Sequence, residues 1–466
     1  MKLEFHGADQ NVTGSCHLLE IDNKKILIDC GLYQGGREMD EENSQPFGFD
    51  PTSIDYLLLT HAHLDHCGRI PLLAKQGFTG TIITTAASAE LARVVLLDAA
   101  GLQESEARYK SKKASRHGNK KEIEPLYNTI DVLNCFSYFG RSANYNQAIK
   151  ISDTVQATFI DAGHILGSAS IILEVEQDGE RRKILFSGDL GYNNRAIINN
   201  PATPPHVDVV VMETTYGDRL HKSLEPTLDE FYGAIKTTIL QGGNIIIPSF
   251  ALERTQEILY YIREGMEKGE IPAYLPVFLD SPMAISATQI FQHHPECFDK
   301  DTYRIFNSKR DPFMFPGLKF TRETTDSIAI NEVPGGHVII AGSGMCTGGR
   351  VTHHLKHNLW NSNNAVIFVG YAAQGTLARR IVDGAKQVKI FGEEVPVRAQ
   401  IYTIGGFSAH ADQAELLAWH KKTGNPKTTF LVHGDKEVMP IFAKKLRATQ
   451  VQTPDLHQKY NLDDWM

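Results

Sequence analysis

The sequence predicts an α/β protein with mostly parallel sheets, built as more than one domain or as one domain with a large insertion. Three observations predict it. The chain has 466 residues, more than one hydrophobic core usually organises. Short, uninterrupted apolar runs recur, of the kind that form strands covered on both faces. In the middle of the chain these runs alternate with helical patterns, and such alternation builds a parallel sheet under covering helices. Hydrophobic residues reach 42%, enough for sizeable cores and too many for wholesale disorder.

The first two hundred residues read as short strands and turns. Apolar runs at 25–31, 56–60 and 79–85 predict strands, and 88–99 carries a helical pattern. From about 104 to 124 the chain is polar, and it holds Arg108, Lys110, Lys112, Lys113, Arg116, Lys120 and Lys121. A charge run of this sort reads first as a solvated, mobile loop. Strands resume at 157–161 and 183–187. A Pro-rich boundary at 201–206 precedes a buried strand at 207–212. Helices are expected at 228–240 and 252–268, and strands at 244–248, 338–341 and 365–369. The closing segment predicts a strand at 400–403, a helix from about 411, a strand at 428–432 and a last helix near 437–447. No repeat of fixed period is visible.

Composition excludes several classes. Lys and Arg number 47 against 55 Asp and Glu, a formal charge of −8, which argues against coating nucleic acid by bulk charge. Six Cys are scattered with no C-x-x-C pair, the pattern of free intracellular thiols and not of a disulfide scaffold. No run approaches the roughly 18 apolar residues of a membrane span. The first residues lack a signal peptide's apolar region. A cytoplasmic location without a membrane partner is therefore expected. The 19 His point toward a metal site.

The strongest local signal is His61-Ala-His63-Leu-Asp65-His66, directly after the strand at 56–60. Alternate residues of an extended loop point the same way, so His61 and His63 face one space. Asp65 and His66 at the start of the next helix can face it too. A solvated polar loop is the bland alternative. One ion wants about four ligands, so a pair of ions needs donors from elsewhere. They are found past other strand ends, each beside a Gly that permits a close turn: His164 after Asp161, Asp189 after 183–187, and His433 after 428–432. Any of these alone would more often be an ordinary core or surface residue.

This set resembles the metallo-β-lactamase superfamily, whose H-x-H-x-D-H motif stands here as His61 to His66. The resemblance implies that His61, His63 and His164 hold one metal. It implies that Asp65, His66 and His433 hold a second, with Asp189 bridging both. Two Zn²⁺ per chain are implied, and Mn²⁺ or Fe²⁺ suits the same donors. Asp29 matches the family's first motif, a residue that steadies the ligand loops. Met212-Glu213-Thr-Thr-Tyr-Gly217 resembles motif A of the β-CASP branch, Gly405-Gly-Phe-Ser-Ala-His410-Ala-Asp412 its motif B, and Leu431-Val-His433-Gly its motif C. The implied fold is a metallo-β-lactamase αββα sandwich in two pieces, 1–217 and 396–466, with an inserted β-CASP α/β domain at 218–395. The chain resembles most the prokaryotic relatives of the endonuclease subunit of the cleavage and polyadenylation factor.

That likeness implies a ribonuclease, endonucleolytic or 5′-exonucleolytic, acting on single-stranded RNA through a dinuclear zinc-bound hydroxide. Asp65 and Asp189 would serve the metals, His410 would protonate the leaving oxygen, and Glu213 would hold and charge that imidazole. A homodimer is compatible with it. The segments 341–350 and 370–379 recur in that branch. Both read as Gly-rich loops whose backbone N–H groups can cradle phosphates, or as purely structural turns. Ser343, Gly344, Thr347, Gly375, Thr376 and Arg379 are the substrate-binding candidates they supply. Local positive charge is expected around Arg350, Arg379 and Arg380, and the run 108–121 becomes a candidate contact for an RNA backbone. His17, His206, His221, His293, His294, His353, His354, His357 and His457 have no ligand-like setting, and Cys67 is expected to be a small buried residue. A small-molecule hydrolase of the same fold would lack the large insertion and motifs A and B. A non-catalytic RNA-processing scaffold would have lost metal ligands.

Overall fold

The computed structural model describes residues 1–35, 37–116, 122–177, 179–370 and 372–464. The chain forms two compact units. The first comprises Met1–Asn194, Asn200–Leu220 and His410–Met466, and the second Arg195–Asn199 and His221–Ala409.

The first unit contains two seven-stranded sheets. One runs, in spatial order, through Lys459–Asn461, Lys2–Phe5, His17–Ile21, Lys24–Ile28, Tyr56–Leu58, Thr81–Thr85 and Phe139–Ala143. It is antiparallel as far as Lys24–Ile28 and parallel beyond. The other runs through Gln450–Gln452, Thr428–Val432, Val209–Glu213, Glu180–Phe186, Ala169–Gln177, Val155–Asp161 and Ala148–Lys150. Inward residues of both sheets join in one core: Phe5, Leu19 and Ile28 from the first meet Phe159, Phe186 and Phe430 from the second. The rings of Phe5 and Phe430 are 5.3 Å apart. On the outer face of the second sheet, Leu185 and Met212 pack with Leu416 and Trp419 of helix Gln413–Lys422 and with Phe442 of helix Met439–Ala443. Helix Ala86–Arg116 lies against the strand Thr81–Thr85 of the first sheet. The layering is thus helix, sheet, sheet, helix, because each sheet has two apolar faces to bury.

Strand direction explains where the site forms. Lys24–Ile28 and Tyr56–Leu58 run parallel, as do Glu180–Phe186, Val209–Glu213 and Thr428–Val432. Parallel strands end at one edge, where the turns beyond them converge. Asp29, His61, Asp189, Glu213 and His433 all sit at or just past such ends.

The second unit has a six-stranded sheet, all parallel: Leu318–Phe320, Val277–Asp280, Val338–Ala341, Ile245–Pro248, Ala365–Phe368 and Gln400–Thr403. Gln400–Thr403 pairs with Ala365–Phe368. The second compact unit runs to Ala409. The segment shows one strand to the eye, and only its hydrogen-bond partner assigns it to a sheet.

The polar stretch expected to be a loop differs from that expectation. Helix Ala86–Arg116 spans 31 residues and takes in everything from the predicted helix at 88–99 to Arg116. Apolar spacing thins after Ala100, but Ala, Glu, Gln, Arg and Lys are strong helix formers. Lys120 and Lys121 lie outside the described residues. Among the described residues, no helix is long and apolar enough to cross a membrane. The six Cys are all buried, and none is in a disulfide.

The loop carrying His61 to His66 is tied to neighbouring strands by backbone. Ser15 N donates to Asp65 O, Cys30 N to His66 O, Gly31 N to Ser15 O and Leu32 N to Leu64 O, each at 2.8 Å. Gly31 is needed for this approach, since a Cβ there would lie 1.7 Å from Asp65 O. Gly31→Ala is expected to lower stability by about 1–3 kcal/mol and to weaken metal binding. Gly101→Ala, whose Cβ would meet nothing within 4 Å, should be neutral or stabilising by up to about 1 kcal/mol. Thermal unfolding of both variants checks this, and an unchanged midpoint for Gly31→Ala refutes the close approach.

Candidate metal centre

His63 precedes a one-turn helix, Leu64–Cys67, that carries Asp65 and His66. The loop and helix present His61, His63, Asp65 and His66 toward the turn holding His164 and the one holding Asp189. One group of donors is His61, His63, His164 and Asp189, and another is Asp65, His66 and His433; within each, one donor atom per residue lies within 4.8 Å of the others. All seven sequence-derived ligand candidates are thus brought together, and each group contains enough donors to hold a cation. Cys67 is buried and donates its thiol to Ala62 O at 3.5 Å, away from the donor set.

The nitrogen positions suit a cation. His63 Nδ1 lies 3.1 Å from both His61 Nε2 and His164 Nε2, and His66 Nε2 lies 3.3 Å from His433 Nε2. Tetrahedral ligands on bonds of about 2.0–2.1 Å are about 3.3–3.4 Å apart. Asp189 lies between the groups. Its Oδ2 is 3.5 Å from His61 and from His164, and its Oδ1 is 3.2 Å from His66 and 3.5 Å from His433. Oδ1 is buried and makes no hydrogen bond of good geometry despite the short approach of His66. A buried carboxylate oxygen without a partner is costly, and a cation would satisfy it.

Charge states fit as well. Burial pushes His63 down to about 4 and His61 well below its usual range. Both are then neutral, the form that binds metal. His66 differs. Burial lowers it, but Asp189 and Asp29 outweigh burial and hold it well above the usual value. Asp189 resists burial because His433 and His66 hold it well below the usual carboxylate range.

Asp29 is the brace of this centre. It accepts from Thr60 N at 2.7 Å and Thr60 Oγ1 at 2.8 Å, and it lies 2.7 Å from His66 Nδ1. A carboxylate on the distal nitrogen fixes the ring and leaves Nε2 for an ion. Asp29 has φ 61° and His433 φ 48°, left-handed conformations that cost energy and cluster at functional sites.

Beside the donors stands His410. Its Nδ1 is 3.1 Å and 3.2 Å from the two oxygens of Glu213, and its Nε2 is 4.0 Å from Asp189 Oδ2. Glu213 is itself held, accepting from Leu190 N at 2.6 Å and from Thr215 N at 3.3 Å. Burial would lower the His410 pKa, but Glu213, with Asp189 and Asp65 behind it, raises it to about 9. The side chain keeps 20% exposure, so a substrate can reach it.

Four supporting residues escape a motif search. Besides Asp29, Thr60 Oγ1 contacts His61 Nδ1 at 3.0 Å. Thr215 Oγ1 lies 3.2 Å from His433 Nδ1. Ser168 Oγ accepts from His164 N, and Ser187 Oγ from Glu213 N, both at 3.0 Å. Each is a small hydroxyl next to or near a ligand, a signal too common to stand out.

The substrate-binding candidates fall in the second unit. Ser343 Oγ accepts from Thr347 N at 3.2 Å, a Cβ on Gly344 would meet the Phe250 ring at 3.0 Å, and Gly375 has φ 80°. Thr376 caps the short helix Leu377–Val382 by accepting from Arg379 N at 3.2 Å. Arg350 is not the free cation expected. Its guanidinium donates to Asp280 at 2.7 Å, Thr321 O at 2.9 Å and Arg322 O at 2.6 Å. Arg379 pairs with Asp383 at 2.9 Å.

The chain matches three family profiles: the metallo-beta-lactamase superfamily over residues 10–216, the Beta-Casp domain over 255–381, and the Zn-dependent metallo-hydrolase RNA specificity domain over 394–454. It is 39% identical to the protein named Ribonuclease TTHA0252 of Thermus thermophilus, with 96% of each chain covered. It is 30% identical to an RNase J-like protein of Methanocaldococcus jannaschii, again over 96% of each. It is 29% identical to that organism's Transcription termination factor FttA, over 96% of this chain and 69% of that one. In fold it is similar to a protein of unknown function from Enterococcus faecalis, with a TM-score of 0.56, 11% identity and 98% and 99% of the two chains covered. The chain belongs to the β-CASP branch of the metallo-β-lactamase superfamily.

Proposed function

We propose that this protein is a metal-dependent ribonuclease that hydrolyses RNA phosphodiester bonds at the His61–His433 centre, with two Zn²⁺ held by the two donor groups. The observation that carries this reading is His410, fixed through Nδ1 by the buried Glu213 with Nε2 turned toward Asp189. A phosphodiester's leaving alkoxide needs a proton donor, and a charged imidazole beside the donor groups can supply one. RNA as substrate is supported by the relative named a ribonuclease.

Divalent cations held there would lower the pKa of a water and neutralise charge on the phosphoryl oxygens. The chain's own residues do the rest. Asp65 and Asp189 balance the cations' charge. Asp29 and Thr60 keep His66 and His61 in the tautomers whose free nitrogens face the centre. His410 gives its Nε2 proton to the leaving oxygen, and Glu213 stabilises the charged ring until that transfer.

Metal-depleted protein, reconstituted with Zn²⁺, is expected to take up about two ions per chain and to regain RNA cleavage. Asp189→Asn should lose both ions and activity. Elemental analysis reads this directly, and less than one ion per wild-type chain contradicts a two-metal centre. His410→Ala should slow RNA cleavage by about 10²–10⁴-fold with metal content unchanged; loss of the metals would remove its assigned role.

The pH profile tests the pair. The acid form of His410 exists below its raised pKa of about 9, so turnover should fall as pH rises through the alkaline limb. Glu213→Gln removes the main charge that raises this pKa and should move that limb to lower pH. An alkaline limb that stays in place in Glu213→Gln counts against His410 as the acid.

A further inference from the structure

Helix Ala86–Arg116 ends in a surface that the metal centre does not use. Its first half is buried through Leu91, Val95, Leu96 and Ala99, and Ala107 is its last buried residue. Residues 104–116 hold Arg108, Lys110, Lys112, Lys113 and Arg116 against Glu104 and Glu106, a net of +3 in a chain of −8. Both carboxylates are occupied. Glu106 pairs with Lys110 at 2.8 Å, and Glu104 accepts from Thr129 N and Oγ1 at 2.7 Å and 2.9 Å. Arg108 donates to Ser105 of its own helix.

At 3.6 residues per turn, Arg108, Tyr109, Lys112, Lys113 and Arg116 fall on one face. All five are exposed, and the Tyr109 ring is 68% exposed. The opposite face carries Ala107, Ser111 and Ala114, and Ser111 Oγ accepts from Ile123 N at 2.9 Å, which braces the helix against the returning chain. The helix dipole amounts to only about half a charge at its C-terminal end, so it does not call for a cluster of this size. A membrane-surface helix would need a wide apolar face, and this face offers only Tyr109 and, two turns earlier, Leu102.

We propose that this face is an exosite for the RNA strand. Lys112, Lys113 and Arg116 pair with phosphates, joined by Arg108, and Tyr109 stacks on an unpaired base. Cations tracking the backbone around an aromatic platform are the general means of holding single strands. The face runs about 12 Å along the helix, enough for more than one phosphate. The partner assignment rests on the ribonuclease reading above.

The test uses full-length, metal-loaded protein with Lys112→Glu, Lys113→Glu and Arg116→Glu combined, the same three positions changed to Gln, and Tyr109→Ala. Gln keeps helix propensity, so the second variant separates charge from folding. Two substrates are compared: an unstructured RNA of about 30 nucleotides and bis(4-nitrophenyl) phosphate, which has no second phosphate to place on the helix. For the RNA, KM should rise at least about tenfold in both triple variants, and about tenfold in Tyr109→Ala, while kcat and turnover of the small ester stay unchanged. The slope of RNA affinity against salt should fall by about two for three lost contacts. An unchanged KM and salt slope overturns the exosite, as does an equal loss on both substrates. Binding read by fluorescence anisotropy separates the two readings. Wild-type protein that binds this RNA with a variant-sensitive salt slope but never cleaves it keeps the exosite and refutes the ribonuclease. Binding to phosphatidylglycerol vesicles in place of RNA overturns the exosite.

Discussion

The Asp189 carboxylate is 1% exposed and has imidazoles against both of its oxygens. A charge in that position cannot be left to water, because none reaches it, and it cannot be neutralised cheaply by one proton. His61 and His63 are held neutral by burial, so their lone pairs face one another as well. Carboxylate and lone pairs make the same electrostatic demand, positive charge at the point between them. The donor spacings fit divalent cations. The rest of the first unit can be understood as what holds these buried donors in place.

Two devices do so. The sandwich brings parallel strand ends to one edge, so that turns from distant parts of the chain supply ligands without long loops. The turns are then locked from behind. Asp29 takes both Thr60 groups and the His66 ring, and Glu213 takes Leu190 N, Thr215 N and the His410 ring. In each case a buried carboxylate is satisfied by backbone and uses what remains to aim an imidazole. One ring, His66, faces the donor cluster, and the other, His410, stands beside it.

Charge on the outside follows a different logic. The chain is acidic overall, which excludes coating RNA by bulk charge. One local cluster of exposed cations, Arg108, Lys112, Lys113 and Arg116, stands on one face of helix Ala86–Arg116. Arg350, by contrast, is spent inside the second unit. Its partner Asp280 also accepts from His354, Ser327 and Thr321 at 2.6–2.7 Å, and burial cannot raise its pKa against those four donors, which hold it at about 2. That guanidinium ties Asp280 to the backbone of Thr321 and Arg322.

Much of this was legible in the chain itself. The clustered candidate donors could be picked out because metal chemistry admits few residue types. Those residues sit beside strand ends and glycines, and the loop of His61 to His66 concentrates four of them in six positions. The parallel sheets could be read because double burial demands apolar runs. Tertiary structure alone decided the rest. Whether Gln400–Thr403 belongs to one sheet or the other depends on a hydrogen-bond partner thirty-five residues away in sequence. Whether residues 104–116 are loop or helix depended on weak propensities reinforced by a brace from Ile123. Whether Arg350 faces a ligand or Asp280 depended on a fold of the second unit that no local pattern encodes. Residue identity determines which chemistry is available, because it sets donors and charges. Only packing determines which of those charges are already satisfied, because that depends on what long-range folding places within hydrogen-bond distance.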